Sequence, residues 1–530
     1  MILALVALPA FAAIAAFFIR SHALRRLLLV TVAVFHAGLV GWLWIEPARF
    51  PPVGGWLAAD ALGRLFLAIA SLLFLAVSVS AVGFLRKESG ATTADTEEGF
   101  LFGNAPEAVF TACLLGFLST MTLVTVIQHF GLLWVSIEAT TLVSAPLIHY
   151  HRHHRSLEAT WKYLLVCSVG IAVALLGTYF LAASVSSGIV GAKSAEYVGA
   201  KSAEYVGAVS LTFSGLAQKA ASLDAGWLKA AFLLLLVGYG TKMGLAPMHT
   251  WLPDAHSEAP SVVSALLSGA LLNCAFLAVL RILSVCAAAG LGGFGRQTIL
   301  VLGLVSMAVA AGLIIGQPDY KRMLAYSSVE HMGILCVGIG LGGLGDWGAL
   351  FHAVNHSFTK AALFLLAGNF LAAYGTKKSS DVNGAVRTLP VTAALWVAGL
   401  FAITGAPPFG VFSSELTILR AGVNAGAWVV VTVYSVLLAA VFVGMITMLL
   451  RMGQGGRQER PGQAEHAGSP ATGGHGNTPA AAAAPSLRAG ESALSVAAPL
   501  VLLVLTGVLG LFIPGFLDSA LKQAALLLGI

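Results

Sequence analysis

Residues 238–273 read GYGTKMGLAPMHTWLPDAHSEAPSVVSALLSGALLN. In this stretch an apolar run contains Lys242, breaks at Pro247, passes through a polar turn and continues as a second apolar run. A lysine in hydrocarbon costs roughly 2.5–3.5 kcal/mol even on the lenient insertion scale, so it needs a partner, water or a function. A helix that breaks inside a membrane must line a cavity or be buried in protein. We therefore interpret the stretch as a broken transmembrane helix that forms part of an ion path.

The composition around this stretch is that of a membrane protein. The chain has 530 residues, of which 58% are hydrophobic and 10% are charged, whereas about 25% of the residues of a soluble protein are charged. We predict an all-α polytopic membrane protein with about fourteen transmembrane helices, the first of which is a retained helix and not a signal peptide. The apolar spans lie near 1–19, 27–45, 63–84, 108–128, 130–149, 157–184, 228–246, 261–284, 297–316, 323–341, 347–373, 391–420, 426–450 and 493–513.

The formal net charge of +6 comes from lysines and arginines spread over the loops. This distribution favours topology signals over a nucleic-acid surface, so we expect no nucleic acid as a partner. The positive-inside rule then places both termini on the outer face of a bacterial cytoplasmic (inner) membrane. The five cysteines lie in or near apolar spans without a C-x-x-C pair, and we interpret them as buried thiols.

Two adjacent segments of the chain, 108–284 and 297–451, show weak internal similarity. The triplet SIE at 136–138 compares with SVE at 328–330, and the broken helices seven and twelve share an Ala-Pro step, at Ala246-Pro247 and Ala406-Pro407. Five helices in each segment give them opposite orientations, because five is odd. We predict two inverted five-helix repeats, an arrangement that places ion sites near the bilayer midplane. Residues 1–107 would form helices one to three, 452–492 a flexible cytoplasmic linker, and 493–530 the C-terminal helix fourteen.

The most distinctive polar residues fall on predicted helix eleven. His352, His356 and Lys360 are spaced i, i+4 and i+8 and therefore form one stripe about 12 Å long on one helix face. Imidazoles titrate near neutral pH and can pass protons, so we predict a proton relay. The alternative is a buried polar stripe that only holds helices together.

A second group of ionisable residues lies in the first repeat. Glu138, Lys162 and Lys242 occur on successive helices, and we predict an ion pair between Glu138 and Lys162 whose separation would alter the proton affinity of Lys242. The alternative is a static buried pair.

The remaining candidates each have a structural alternative. Glu158 either takes part or faces a loop, Glu330 and His331 either bridge the two repeats or lie at an interface, and Asp254 and His256 form a proton entrance or cap a helix. We expect His36 to be a satisfied core histidine, Arg281 to snorkel to the surface, and the loop histidines His149, His151, His153 and His154 to bind no metal.

Several segments resemble one family of membrane subunits. They are KMGLAPMHTWLPDAHSEAPSVVSALLSG at 242–269, HSFTKAALFLLAGN at 356–369 and APPFGVFSSE at 406–415. They are similar to the antiporter-like subunits of respiratory complex I, of Mrp-type cation/proton antiporters and of group 4 [NiFe] hydrogenases. The segments IEATTLVSA at 137–145 and SLEATWKYLLVCSVGIAVALLGT at 156–178 resemble the hydrogenase-4 component F type in particular.

This resemblance implies fourteen helices with inverted repeats and assigns roles to individual residues. Glu138 would be the helix-five glutamate, Lys162 the helix-six lysine and Lys242 the broken-helix lysine. His352, His356 and Lys360 would form the helix-eleven relay, and Glu415 would exchange protons at its end. Relatives often carry a central lysine on helix eight, where this chain has Asn273, so water or His331 would have to fill that position.

We therefore expect a proton-translocating subunit of a redox-driven complex, with no catalytic redox centre, cofactor or metal of its own. Its partners would be other membrane subunits of the family, a peripheral hydrogenase or dehydrogenase module, and membrane lipid. Two alternatives stay open at this point: the membrane subunit of an inorganic-carbon uptake system with a zinc-containing partner, and a non-pumping membrane anchor. Sodium could replace protons, but the path is rich in lysine and histidine, which favours protons.

Overall fold

The computed structural model describes residues 1–88, 92–94, 101–192, 210–454 and 491–529. Most of the predicted linker, residues 455–490, lies outside this part of the chain. The long helices are α1 Ile2–Phe18, α2 His22–Ile45, α3 Ala61–Glu88, α4 Glu107–Val126, α5 Phe130–Ile148, α6 His154–Ala192, α7 in two segments (Ala225–Met243 and Trp251–Glu258), α8 Ser261–Ala288, α9 Gly292–Ile314, α10 Tyr320–Leu341, α11 Leu344–Tyr374, α12 in two segments (Pro390–Ile403 and Gly410–Asn424), α13 Trp428–Gln454, α14 Ala493–Leu511 and α15 Gly515–Leu526.

The other regular elements are short. Two three-residue strands, β1 Thr92–Ala94 and β2 Leu101–Gly103, pair antiparallel with Thr92 opposite Gly103. Within the described ranges, two short α-helices and four 3₁₀ turns connect the long helices: Phe213–Gln218, Ala385–Thr388, Pro47–Arg49, Ala220–Ser222, Met248–Thr250 and Ser379–Asp381. The all-α prediction is confirmed, with the small β-hairpin as the one addition among the described residues.

Twelve of the described helices are long and apolar enough to cross a membrane. Two further apolar helices, α1 and the first segment of α12, are shorter. With these two, the helices agree with the fourteen spans predicted from the sequence. The division of α4–α13 into two equivalent five-helix units stays a prediction.

The break in α7 falls where the sequence predicted it. Gly244 ends the first segment in the left-handed conformation, with φ +83°. The indole Nε1 of Trp251 donates to the carbonyl of Thr241 at 2.8 Å, and the amide of Ala246 donates to Ser306 Oγ at 3.0 Å. Protein groups thus satisfy the backbone freed by the break, which is the condition for irregular backbone at membrane depth.

Two other helices are also irregular. The segments of α12 are separated by residues 404–409, with Gly405 at φ +69°. In α8, residues Leu267–Leu271 form a π-turn, and the side-chain amide of Asn273 donates to the carbonyl of Gly269 at 2.9 Å. Single π-turns inside helices are rare and often mark functional sites. Irregular backbone in α7, α8 and α12 therefore coincides with the predicted ion path.

Of the described membrane spans, that of α8 is the most enclosed. α8 packs against α7 on one side and α11 on the other, and α11 also contacts α10, the second segment of α12 and α14. The apolar span of α8 is wholly buried, whereas only 22% of that of α13 is. A helix that is apolar on all sides belongs in the core of the bundle. α8 therefore lies in the core of the bundle, where it packs against helices that carry ionisable candidates.

Three polar predictions outside the path can be compared with the fold. The imidazole of His36 lies 2.8 Å from Ser71 Oγ and 3.0 Å from Thr122 Oγ1, so it is the satisfied core histidine that we expected. The prediction for Arg281 is wrong: its guanidinium is 5% exposed and binds both carboxylate oxygens of Asp60. This ion pair joins the end of α8 to the start of α3, and the arginine does not snorkel.

The loop histidines between α5 and α6 make protein contacts. His149 Nδ1 lies 3.1 Å from Ser156 Oγ, and His151 Nδ1 lies 3.0 Å from Asn104 Oδ1. His153 Nε2 lies 3.6 Å from Glu258 Oε2. Burial, followed by the charge of Arg152, lowers the pKa of His149. These contacts support a structural role for the loop.

Candidate proton relay

Lys242 is fully buried at the end of the first α7 segment. Its Nζ donates to Tyr163 OH at 2.6 Å and to Thr141 Oγ1 at 2.8 Å, and it lies 4.4 Å from the centroid of the Tyr163 ring. Among the described residues no carboxylate lies within 4.0 Å of this ammonium group. Hydroxyl groups and an aromatic face therefore hold the lysine.

A hydroxyl group connects Lys242 to Glu138. Thr141 Oγ1 accepts from Lys242 and lies 3.3 Å from Glu138 Oε2, to which it donates. The other carboxylate oxygen of Glu138 accepts from Ser168 Oγ at 2.7 Å. Glu138, Thr141 and Lys242 therefore form a continuous polar chain from a half-buried carboxylate to a fully buried ammonium.

The predicted ion pair between Glu138 and Lys162 is wrong. Lys162 Nζ binds Glu158 at 2.7 Å and Asp254 at 3.0 Å, and its side chain is 47% exposed. Asp254 also accepts from Arg322 at 2.5 Å. Lys162 lies near the beginning of α6 and its side chain points to the exposed side of that helix, away from Glu138. Glu158, Lys162, Asp254 and Arg322 thus form a charged cluster at the surface.

Lys360 is fully buried on α11. Its Nζ donates to the carbonyl of Leu324 at 2.6 Å and to the hydroxyl of Ser327, both on α10. Phe364, one turn further along α11, stacks on His256 with 5.0 Å between ring centroids. His256 is buried, and neither of its ring nitrogens has a hydrogen-bond partner among the described residues. His256 thus lies in the core near Lys360, whereas Asp254, the other proposed entrance residue, belongs to the surface cluster.

Three buried imidazoles meet beyond Lys360. His331 Nδ1 on α10 lies 2.9 Å from His352 Nε2 on α11. The rings of His331 and His356 have centroids 4.7 Å apart. His352 Nδ1 lies 2.9 Å from Ser414 Oγ on α12. The sequence placed two of these histidines on one face of α11 and proposed His331 as a bridge, and the structure brings all three together.

Glu415 completes this cluster. One carboxylate oxygen of Glu415 and one ring nitrogen from each of His331 and His352 all lie within 4.8 Å of one another. Gly405, in the bend of α12, faces the carboxylate so closely that a Cβ atom there would overlap Glu415 Oε2. The bend in α12 therefore places Glu415 at the end of the histidine group. Glu330, the neighbour of His331 in sequence, is buried beside them.

Asn273 lies on α8, which packs against the helices of both buried lysines, α7 and α11. Its side-chain amide donates to Ser357 Oγ at 2.7 Å, and Ser357 adjoins His356 in sequence. Asn273 Oδ1 is buried and has no partner within the described part of the chain. One turn earlier, Ser268 Oγ lies 2.8 Å from Ser328 Oγ on α10. Polar groups thus surround the π-turn of α8, but no direct hydrogen bond joins Lys242 to Lys360 in the described chain.

Sequence reasoning missed the hydroxyl groups of the site. Thr141, Tyr163, Ser327 and Ser414 each contact an ionisable candidate. Serine and threonine are frequent in transmembrane helices and often bond their own backbone, so their presence alone does not distinguish a site. The spacing from Glu138 to Thr141, i to i+3, is the one available signal.

The comparisons with known proteins fit this geometry. The family model described as "NADH:quinone oxidoreductase/Mrp antiporter, TM" matches residues 128–442, which include α5 to α12 and therefore all of the candidate relay. The chain belongs to this family. The match confirms the resemblance drawn from the broken-helix motifs.

One relative and two solved structures extend over most of the chain. The Hydrogenase-4 component F homolog of Methylacidiphilum infernorum (isolate V4) is 34% identical over 414 residues, or 77% of this chain and 80% of that protein. A chain of the archaeal membrane-bound sulfane sulfur reductase has a TM-score of 0.79 at 20% identity, with 100% and 97% of the two chains covered. A chain of the Mrp complex from Dietzia sp. DQ12-45-1b has a TM-score of 0.75 at 22% identity, with 99% and 97% covered.

These relationships set the class of the protein. The chain is a multi-pass, antiporter-like membrane subunit of the type found in complex I and group 4 hydrogenases. Its structural neighbours are subunits of multi-subunit membrane complexes, so other membrane subunits are its expected partners.

Proposed function

We propose that this chain moves protons through the interior of its helix bundle. The path runs from Glu138 through Thr141 to Lys242, past Asn273 to Lys360, and through His356, His331 and His352 to Glu415. The observation that carries the proposal is the histidine group: three fully enclosed imidazoles lie in contact between a buried lysine and a buried carboxylate.

The free-energy cost of burying these ionisable side chains supports a functional role. Charged and ionisable side chains inside a membrane are expensive and mark ion or proton pathways. His331, His352, His356, Lys360 and Lys242 are each at most 1% exposed. Leucines of similar volume would fill the same space without this cost, so packing alone does not account for the group.

The chemistry of the path favours protons over sodium. Sodium prefers oxygen ligands, whereas the residues after Asn273 supply mainly nitrogen atoms. An imidazole accepts a proton on one nitrogen and releases it from the other, so contacting imidazoles can pass protons in sequence. Asn273 Oδ1 and the free nitrogens of His356 are buried polar atoms of the kind that bind internal water, which would carry protons across the gaps.

The energy for transport must come from other subunits. Moving one proton against about 100 mV takes roughly 2.3 kcal/mol. We propose that a peripheral redox module, a hydrogenase or a dehydrogenase, supplies it, and that the subunit lies in a bacterial cytoplasmic membrane with both termini on the outer face. One structural neighbour is a chain of a membrane-bound sulfane sulfur reductase, which supports a redox partner.

The test compares variants of the assembled complex in vesicles. Lys242→Ala, Lys360→Ala and Glu415→Ala should each abolish proton transport while the complex still assembles. Lys378→Ala, which removes an exposed lysine, is the control and should transport normally. Unchanged transport in all three relay variants would disprove the proposal. Assembly is measured separately, by size-exclusion chromatography, so that a folding defect is recognised.

A further inference from the structure

The histidine group has a second chemical property that proton transfer does not require. His331, His352 and Glu415 come from α10, α11 and α12 and converge so that one potential ligand atom from each lies within 4.8 Å of the others. His356 adds a third imidazole, 4.7 Å from His331 between ring centroids. Imidazole nitrogens with one carboxylate oxygen form a typical ligand set for zinc.

The distance between the facing nitrogens of His331 and His352 is close to that of a tetrahedral site. Zinc–nitrogen bonds of about 2.0–2.1 Å place tetrahedral ligand atoms roughly 3.3 Å apart. The facing nitrogens of His331 and His352 are 2.9 Å apart, so a small outward rotation of the rings would accommodate a cation.

A second observation points to a ligand. Both nitrogens of His356 are buried and have no hydrogen-bond partner among the residues that the structure describes. Buried polar atoms are nearly always paired, so the nitrogen lone pair of His356 is available to a bound species.

The outer contacts of His352 and Glu415 also favour metal binding. His352 directs its other nitrogen to Ser414 Oγ at 2.9 Å, and metal-binding histidines usually have such an outer partner, which fixes the ring orientation. Glu415 is backed by the bend at Gly405. Two of the potential ligands are therefore already oriented toward the centre of the group.

We infer that His331, His352 and Glu415, with His356 beside them, form a binding site for a divalent transition-metal cation of the zinc class. The inference does not depend on proton transport, because metal binding by the cluster requires only its geometry. Where the subunit does move protons, a bound cation would occupy nitrogens of the relay.

Equilibrium dialysis of the purified full-length chain against Zn²⁺, followed by X-ray absorption at the zinc edge, tests the site. The four loop histidines, His149, His151, His153 and His154, are the competing location, so a variant with all four replaced by glutamine is the matched control. This control should retain about one zinc per chain with several imidazole ligands. Glu415→Gln and His356→Gln should each weaken binding at least about tenfold, since loss of an outer-shell partner alone costs 10- to 100-fold.

The opposite pattern would overturn the inference. Zinc that is lost from the loop variant but retained by both cluster variants would show an adventitious ion only. If a cluster variant does not fold, as judged by its thermal unfolding, the absorption spectrum of the loop variant decides alone. In that case a spectrum without multiple imidazole ligands would disprove the site.

Discussion

Glu138 and Lys242 are joined by a single hydroxyl group, that of Thr141. Thr141 Oγ1 accepts a hydrogen bond from the lysine at 2.8 Å and donates one to the carboxylate at 3.3 Å. The carboxylate and the ammonium are therefore linked through a hydroxyl group that accepts one hydrogen bond and donates another. This link replaces the direct pair with Lys162 that the sequence predicted.

The first prediction concerns that hydroxyl. Thr141→Val keeps the shape of the side chain but breaks the link between Glu138 and Lys242. We expect proton transport to fall about 5- to 150-fold, the usual range for a lost coupling between sites, with assembly retained. Thr141→Ser keeps the hydroxyl and should transport nearly normally. Equal rates for the valine and serine variants would show that the hydroxyl has no role.

The second prediction concerns the surface charges on α6 and α7. Lys162 and Asp254 form an exposed ion pair, and exposed pairs contribute about 0–1 kcal/mol to stability. Lys162→Gln should therefore leave thermal stability almost unchanged and should reduce proton transport far less than Lys242→Ala does. A loss of transport as complete as that of Lys242→Ala would place Lys162 in the path after all.

The third prediction concerns the bend of α12. In Gly405→Ala the new Cβ would overlap Glu415 Oε2, so the carboxylate must move away from the histidines. We expect transport to fall as in Glu415→Gln. Gly426→Ala is a matched control, since Gly426 has a similar φ of +66° but open space around it. Both substitutions should cost about 1–2 kcal/mol in backbone strain, and only the first should stop transport.

The fourth prediction separates a structural histidine from a relay histidine. His36→Leu leaves Ser71 and Thr122 without their buried partner, and an unsatisfied buried group costs about 1–3 kcal/mol. We expect a lower unfolding temperature and normal proton transport per assembled complex. His356→Leu removes a ring whose nitrogens bond no described residue, so it should cost little stability and stop transport. If His36→Leu stopped transport and His356→Leu transported normally, the relay histidine would be His36 and not His356.

Proline, glycine and lysine made the broken helices predictable from sequence. Lys242 within an apolar run, followed by Pro247, indicated both the break and the buried charge. Helical spacing likewise indicated the stripe of His352, His356 and Lys360. Both signals depend on local physics, because backbone geometry and helical periodicity act within a few turns.

The contacts between helices could not be predicted in the same way. Lys162 faces Asp254 and not Glu138 because of how α6 is rotated against α7, and rotation depends on packing along the whole helix. The same holds for His331, whose approach to His352 requires α10 and α11 to cross at one particular level. Arg281 shows the general difficulty: its partner, Asp60, is 221 residues away in the sequence.

Infrared difference spectroscopy can show whether protons pass along one continuous path from Lys242 to Glu415. The carboxyl band of Glu415, assigned by its absence in Glu415→Gln, is followed while the complex turns over. We predict that this band changes during turnover of the native complex and stays constant in Lys242→Ala, because protons no longer reach Glu415. An unchanged Glu415 response in Lys242→Ala would contradict a single connected relay.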